Sequence, residues 1–111
     1  MIIFLKKSPN PKKKFRVIFE DGSHVDFGAR GYSDFTLHKN PDRMRLYVQR
    51  HGGNMKSKNA LKIEKSSKEN WSKNGIKTAG FWSRWLLWSY PSLKQAKTFM
   101  EKKFQIKIRN A

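Results

Sequence analysis

Residues 15–27 read Phe15-Arg-Val-Ile-Phe19, Glu20-Asp21-Gly22, Ser23-His-Val-Asp-Phe27: two β-prone runs around a turn signal, the pattern of a β-hairpin. A two-residue Asp-Gly loop would set Val17 against Asp26 and Arg16 against Phe27. A three-residue Glu-Asp-Gly loop sets Phe15 on Phe27, Val17 on Val25 and Arg16 on Asp26. The second register is preferred, with Gly22 in the left-handed position. It gathers Phe15, Val17, Phe19, Val25 and Phe27 on one face, so the sheet has a single buried side. Ile2 to Leu5 adds a further strand upstream.

Beyond Gly31 the periodicity turns helical. Asn40 can cap, Pro41 suits the first helical position and Asp42 complements the helix N-terminus. Met44, Tyr47, Val48 and His51 follow at i, i+3, i+4 and i+7, and Gly52-Gly53 ends the helix. Arg43 and Arg50 are placed together on the opposite side with Leu46, which hints at a contact surface. Phe81 to Trp88 predicts a short helix buried on most of its surface, stopped by Pro91. Ser92 and Gln95 form a capping-box spacing for a last helix with Leu93, Ala96, Phe99, Met100 and Phe104 inward and Lys94, Lys97 and Lys102 outward. Phe104, Ile106 and Ile108 then alternate as a closing strand. The reading is one α+β domain over residues 1–111, with a β-hairpin region at 1–30 and a helical region at 31–111. In it a small antiparallel sheet with an N-terminal hairpin and a closing C-terminal strand carries about three helices on one side. Residues 54–68, with five lysines and one acid, read as a mobile Lys-rich loop able to close over a polyanion.

The chain has 111 residues, a formal net charge of +17 and a pI near 10.5, with 37% hydrophobic and 14% aromatic residues. A disordered basic tail lacks large hydrophobes, so this composition describes a folded domain. Its small core is compatible with a homodimer. There is no cysteine, hence no disulfide framework, thiolate nucleophile or Cys-based zinc site. Lys6 and Lys7 end the apolar start of the chain before it reaches the length of a secretory h-region, and no membrane span is expected.

Charge is unevenly placed: residues 1–30 hold 7 basic and 3 acidic side chains, against 18 and 5 in 31–111. Lys and Arg that neutralise phosphates release condensed counterions, which provides sequence-independent affinity for nucleic acid. The candidate contacts are Lys12, Lys13 and Lys14 before the hairpin, Arg43 and Arg50 on the first helix, Lys56, Lys58, Lys62 and Lys65 in the loop, and Lys94 and Lys97 on the last helix. The competing reading is a solvated surface that keeps a small protein soluble, but a net charge this large exceeds what solubility asks. No zinc-finger, RNP or homeodomain signature is present. Trp82, Trp85, Trp88 and Phe81 sit at helical spacing and read as core. Trp71, isolated among polar residues, is the candidate surface aromatic for stacking on bases. Arg84 is expected to lie over an indole face or to reach a buried carboxylate such as Asp34.

Catalysis finds little support in three histidines and eight acids without metal-ligand or nucleotide-loop spacing. Asp34 with His38, and His24 near Asp26, read as a cap and a cross-strand contact. The chain is therefore expected not to be an enzyme and to use no cofactor or metal. Pro11 to Val17, PKKKFRV, is close to a monopartite nuclear localisation signal with Phe15 at a position usually basic. Burial of Phe15 in the hairpin favours a basic strand entrance instead.

Two blocks carry a resemblance. The first is Gly31-Tyr-Ser-Asp-Phe-Thr-Leu-His-Lys-Asn-Pro-Asp-Arg43, with Tyr47 and Arg50-His51. The second is Asn70-Trp71, Lys73 and Gly75-Ile-Lys-Thr-Ala-Gly-Phe-Trp-Ser-Arg-Trp-Leu-Leu-Trp88. They resemble a family of small, basic, uncharacterised proteins encoded by giant nucleocytoplasmic large DNA viruses, over about residues 31–100. The resemblance brings no activity, cofactor or catalytic residue. It implies a viral origin and a place in the virion or in a cytoplasmic viral factory, with the nucleus as a further site. The expected partners are nucleic acid, DNA ahead of RNA, or acidic virion proteins contacted by a minor capsid or core component.

Overall fold

The computed structural model describes residues 1–111 in full. Strands β1 (Ile2–Lys7), β2 (Lys13–Ile18) and β3 (His24–Ala29) lead into helices α1 (Phe35–His38) and α2 (Pro41–Arg50). After single 3-10 turns at Ala60–Lys62 and Lys73–Gly75 come α3 (Ala79–Trp82), which widens into a π turn at Ser83–Leu87, then α4 (Leu93–Phe104) and β4 (Lys107–Asn110).

The hairpin has the three-residue register. Phe15 pairs with Phe27, Arg16 with Asp26 and Val17 with Val25. The loop closes through Phe19 N–H to Ser23 O at 2.8 Å and Gly22 N–H to Phe19 O at 3.0 Å, with Gly22 at φ +86°. On the outer face Arg16 holds Asp26 at 2.8 Å. That hydrogen bond pulls the Asp26 carboxyl down to about 2.

The fold is α+β, with sheet order β3-β2-β1-β4. The expectation of an antiparallel sheet is corrected at its last strand, since β4 pairs parallel to β1, Ile3 beside Ile108. The intervening helices form a crossover, so the chain re-enters the sheet in the direction of β1, as a parallel pair requires. Ile3, Leu5, Val17, Phe27 and Ile108 are buried under the helices, while Ile2 and Phe4 are exposed on the other side of β1.

Helices α2 and α4 start at the expected caps, whereas α3 starts at Ala79, ahead of the expected Phe81, on a Thr78 cap. Asn40 accepts from the Asp42 and Arg43 amides, Thr78 from Phe81 N–H and Ser92 from Gln95 N–H. Phe81, Trp82 and Trp85 are buried, and the Trp82 and Trp85 indole N–H groups donate to the carbonyls of Ile76 (2.7 Å) and Trp71 (2.8 Å). Pairing both donors removes the penalty of burying them.

Arg84 is fully buried. It does not reach Asp34. Its guanidinium lies over the Trp85 ring at 4.3 Å and the Trp71 ring at 5.3 Å, and donates to the carbonyls of Ala60 (2.7 Å), Ile63 (3.4 Å) and Trp88 (3.0 Å). The middle of the segment expected as a mobile loop is thus tied to the core, with Ala60 and Ile63 buried and Gly53 bridged to Ser66. Gly75 explains part of the second motif: a Cβ there would lie 2.0 Å from Asn70 O, a contact only backbone movement can relieve.

Two substitutions test this packing by urea unfolding. Arg84→Met, which keeps bulk but strips the donors from two buried carbonyls and one part-buried one, is expected to cost about 3 kcal/mol, and Arg84→Lys most of that, because an ammonium cannot span the three acceptors. Gly75→Ala is expected to destabilise by a similar amount, on the order of 2–4 kcal/mol.

Candidate nucleic-acid interface

One cleft of about 450 Å³ collects residues from distant parts of the chain. Its walls are Lys13 and Lys14 of β2, Gly28 and Ala29 of β3, the Tyr32–Asp34 loop, and Arg43, Tyr47, Arg50 and His51 along α2. Glu69 and the Ala79 to Trp88 stretch complete it. Four of the sequence-selected cations, Lys13, Lys14, Arg43 and Arg50, meet here.

Their convergence corrects the placement of Arg43 and Arg50 opposite the apolar stripe. At 100° per residue, Arg43 and Arg50 fall about 40° and 60° from Tyr47, on the edge of the buried face rather than behind it. Tyr47 is therefore both core and cleft wall. Its ring is sandwiched between Trp88, at 4.3 Å and 3°, and His51, at 4.1 Å and 28°. Burial raises its hydroxyl pKa. His38 extends the column, 5.3 Å from Trp88.

The two acids of the cleft are committed. Asp34 is buried, caps α1 through Thr36 N–H at 2.9 Å and holds Lys14 Nζ at 2.6 Å. Glu69 accepts from His51 Nδ1 at 3.2 Å and Trp71 Nε1 at 2.8 Å, lying against Gly80, where a Cβ would come within 2.8 Å of its carboxyl carbon. Lys14 thus becomes a structural partner of Asp34. Lys13, Arg43 and Arg50 have no carboxylate within ion-pair distance.

Other candidates lie elsewhere. Lys12, Lys56, Lys58 and Lys62 are exposed outside the cleft. Lys65 joins Lys73 and Lys103 around a second depression beside Trp71. Lys94 lines the outer face of α4 with Lys102, Tyr90 and Phe99, whereas Lys97 turns to the edge and donates to Asn110 Oδ1 at 3.3 Å. Trp71 is corrected outright: it is only 1% exposed, because it packs into the core beside the Arg84 guanidinium, 5.3 Å from its ring, with its carbonyl held by the Trp85 indole. The aromatic the sequence reading passed over is Tyr32, 74% exposed at the mouth of the cleft. Gly31 before it, at φ +92°, was the available signal.

Residues 3–51 are similar to the family of unknown function DUF5754. This stretch runs from β1 to the end of α2, supplying Lys13, Lys14, Arg43, Tyr47 and Arg50, and stops short of the Trp-rich block. No curated protein and no solved structure matches the chain.

His38, outside the cleft lining, gives the fold a pH dependence. Its Nδ1 accepts from Asn40 N–H at 2.9 Å, leaving the proton on Nε2, which is buried without a partner. Burial lowers its pKa below the usual 6.5, Arg43 adding to the effect and Asp34 opposing it. The unfolded chain then binds the extra proton first, so the stabilisation present above about pH 6.5 is lost as the pH falls. Thermal unfolding is expected to shift to lower temperature between pH 7.5 and 5. His38→Asn, which keeps an acceptor for Asn40 N–H without titrating in that range, is expected to flatten the dependence.

Proposed function

We propose that this chain binds nucleic acid without sequence preference, through Lys and Arg contacts to the phosphate backbone centred on the cleft of Lys13, Arg43 and Arg50. The observation that carries the reading is a separation of charges. Only Lys14, Arg16, Lys77, Lys103 and Arg109 among the 25 Lys and Arg side chains pair with a carboxylate. Apart from the buried Arg84, the remaining cations face solvent or the cleft, where diffuse phosphate contacts release counterions. Binding rather than catalysis is favoured because seven of the eight acids, all but Asp42, already accept hydrogen bonds from fixed donors. No cofactor is part of the reading. The motif resemblance supports a viral protein of the virion or the factory, with DNA the first partner to test.

A second reading is a structural virion component contacting acidic proteins. Leu46 on α2 and Leu37 on α1, 51% and 63% exposed, favour it as apolar points beside a basic surface, and they suit a homodimer equally.

Fluorescence anisotropy with duplex DNA, single-stranded DNA and RNA across a salt series decides between them. Affinity is expected to fall linearly in log–log form, and Arg43→Ala with Arg50→Ala to reduce the slope by about two. An undetectable interaction at about 0.15 M salt, where distant charges are screened, would leave the protein-contact reading in its place.

A further inference from the structure

We infer that the cleft is a site for a phosphate monoester, the terminal phosphate of a nucleic-acid strand or of a free nucleotide. This rests on the nucleic-acid reading and narrows it from the whole basic surface to one pocket and one chemical group.

The charge inventory points to a dianion. Inside the cleft Lys14 is matched by Asp34, and Lys13, Arg43 and Arg50 have no carboxylate within ion-pair distance; with Glu69 counted, the four Lys and Arg and two acids of the lining leave an excess of two positive charges. A backbone phosphodiester supplies one negative charge, whereas a monoester carries between one and a half and two near neutral pH, with three terminal oxygens to share among donors. Two guanidinium forks and an ammonium suit that group, because Arg binds a pair of phosphate oxygens side by side.

The geometry points to an end rather than a passing strand. Arg43 and Arg50 lie seven residues apart on α2, roughly 10 Å along the axis, with Tyr47 between them, and β2 contributes Lys13 from another wall. Tyr47 and Leu87 are buried and form the floor, while Tyr32, Arg43 and Arg50 are exposed at the rim. A concave site closed by a floor receives a group that projects.

The aromatics point to phosphate rather than base. Both faces of Tyr47 are covered, by Trp88 and by His51, so the column offers no slot into which a base can slide. Tyr32 is free only at the mouth. Recognition therefore rests on the phosphate, and base identity is expected to matter little.

The test compares one short single-stranded oligonucleotide with a 5′-phosphate, a 3′-phosphate or hydroxyl ends at both termini, in anisotropy titrations of the full chain. Competition by inorganic phosphate, deoxyadenosine monophosphate and deoxyadenosine runs alongside. A phosphorylated end is expected to bind about tenfold more tightly than the hydroxyl form, and the monophosphate but not the nucleoside to compete. Preference for one end only would identify the strand polarity recognised. Arg43→Gln with Arg50→Gln is expected to erase the preference, whereas Lys94→Gln lowers all three affinities together and leaves their ratio. Equal affinity for the three oligonucleotides overturns the inference while the general nucleic-acid reading stands. Competition by deoxyadenosine as strong as that of its monophosphate also overturns it, since the base would then be the recognised group. Competition-grade binding of the monophosphate, measured directly by tryptophan fluorescence, with no oligonucleotide binding at all would uphold the pocket and remove the nucleic-acid reading.

Discussion

Arg84 is a fully buried cation with no carboxylate beside it, and most of the helical layer is arranged around that fact. A guanidinium taken out of water normally demands an anion, because desolvation outweighs isolated contacts. Here the charge is met by three carbonyl dipoles and two indole faces. Burial pushes its pKa down to about 10, so it stays protonated at neutral pH. The acceptors come from separate places: Ala60 and Ile63 belong to the Lys-rich loop, and Trp88 ends the π turn that holds Arg84 itself. One side chain therefore closes its own helix and pins the loop. The widened turn at Ser83–Leu87 fits the same role, since an irregular helix end leaves carbonyls that need an outside donor.

Solving the Arg84 problem with carbonyls leaves the acids for other work. With eight carboxylates against 25 Lys and Arg, this chain cannot pair its cations generally, and it places its acids where they order backbone. Asp34 caps α1, Glu69 fixes the His51 and Trp71 rings, Glu101 receives Ile108 N–H at the start of β4, and Glu20 receives Ile2 N–H at the start of β1. Each sits at a junction between elements. The excess of positive charge is the residue of that allocation, and it lies on the surface and in the cleft because nothing inside neutralises it.

The hairpin was legible in the sequence to the level of register because period-two alternation and a Gly at the left-handed position constrain each other locally. Helices α2 and α4 were legible for the same reason, caps and stripes agreeing within one segment. What could not be read was long-range. The parallel pairing of β4 depends on where the crossover returns, and Trp71 looked like a surface residue because its burial comes from elements far away in sequence. Arg43 and Arg50 were assigned to the correct helix and to the wrong side of it. Leu46 drew the basic face toward itself on a helical wheel, whereas long arginine side chains at the stripe edge extend over the adjacent wall.

The cleft and the core meet at Tyr47. Its ring packs on Trp88, whose carbonyl is held by Arg84, and the same residue separates Arg43 from Arg50 at the surface. A ligand drawn to those arginines therefore meets a packed column of rings, His51, Tyr47, Trp88 and His38, anchored in the core at Tyr47. Side chains carried by packed helices keep their spacing when unliganded, so less ordering is lost on binding. The cations best placed to recognise a defined group are thus the three mounted on α2 and β2, and the lysines scattered over the loop and α4 are suited to attraction without shape. Sequence-independent affinity and a preference for one phosphate geometry can coexist in this chain because different residues, on supports of different rigidity, would supply them.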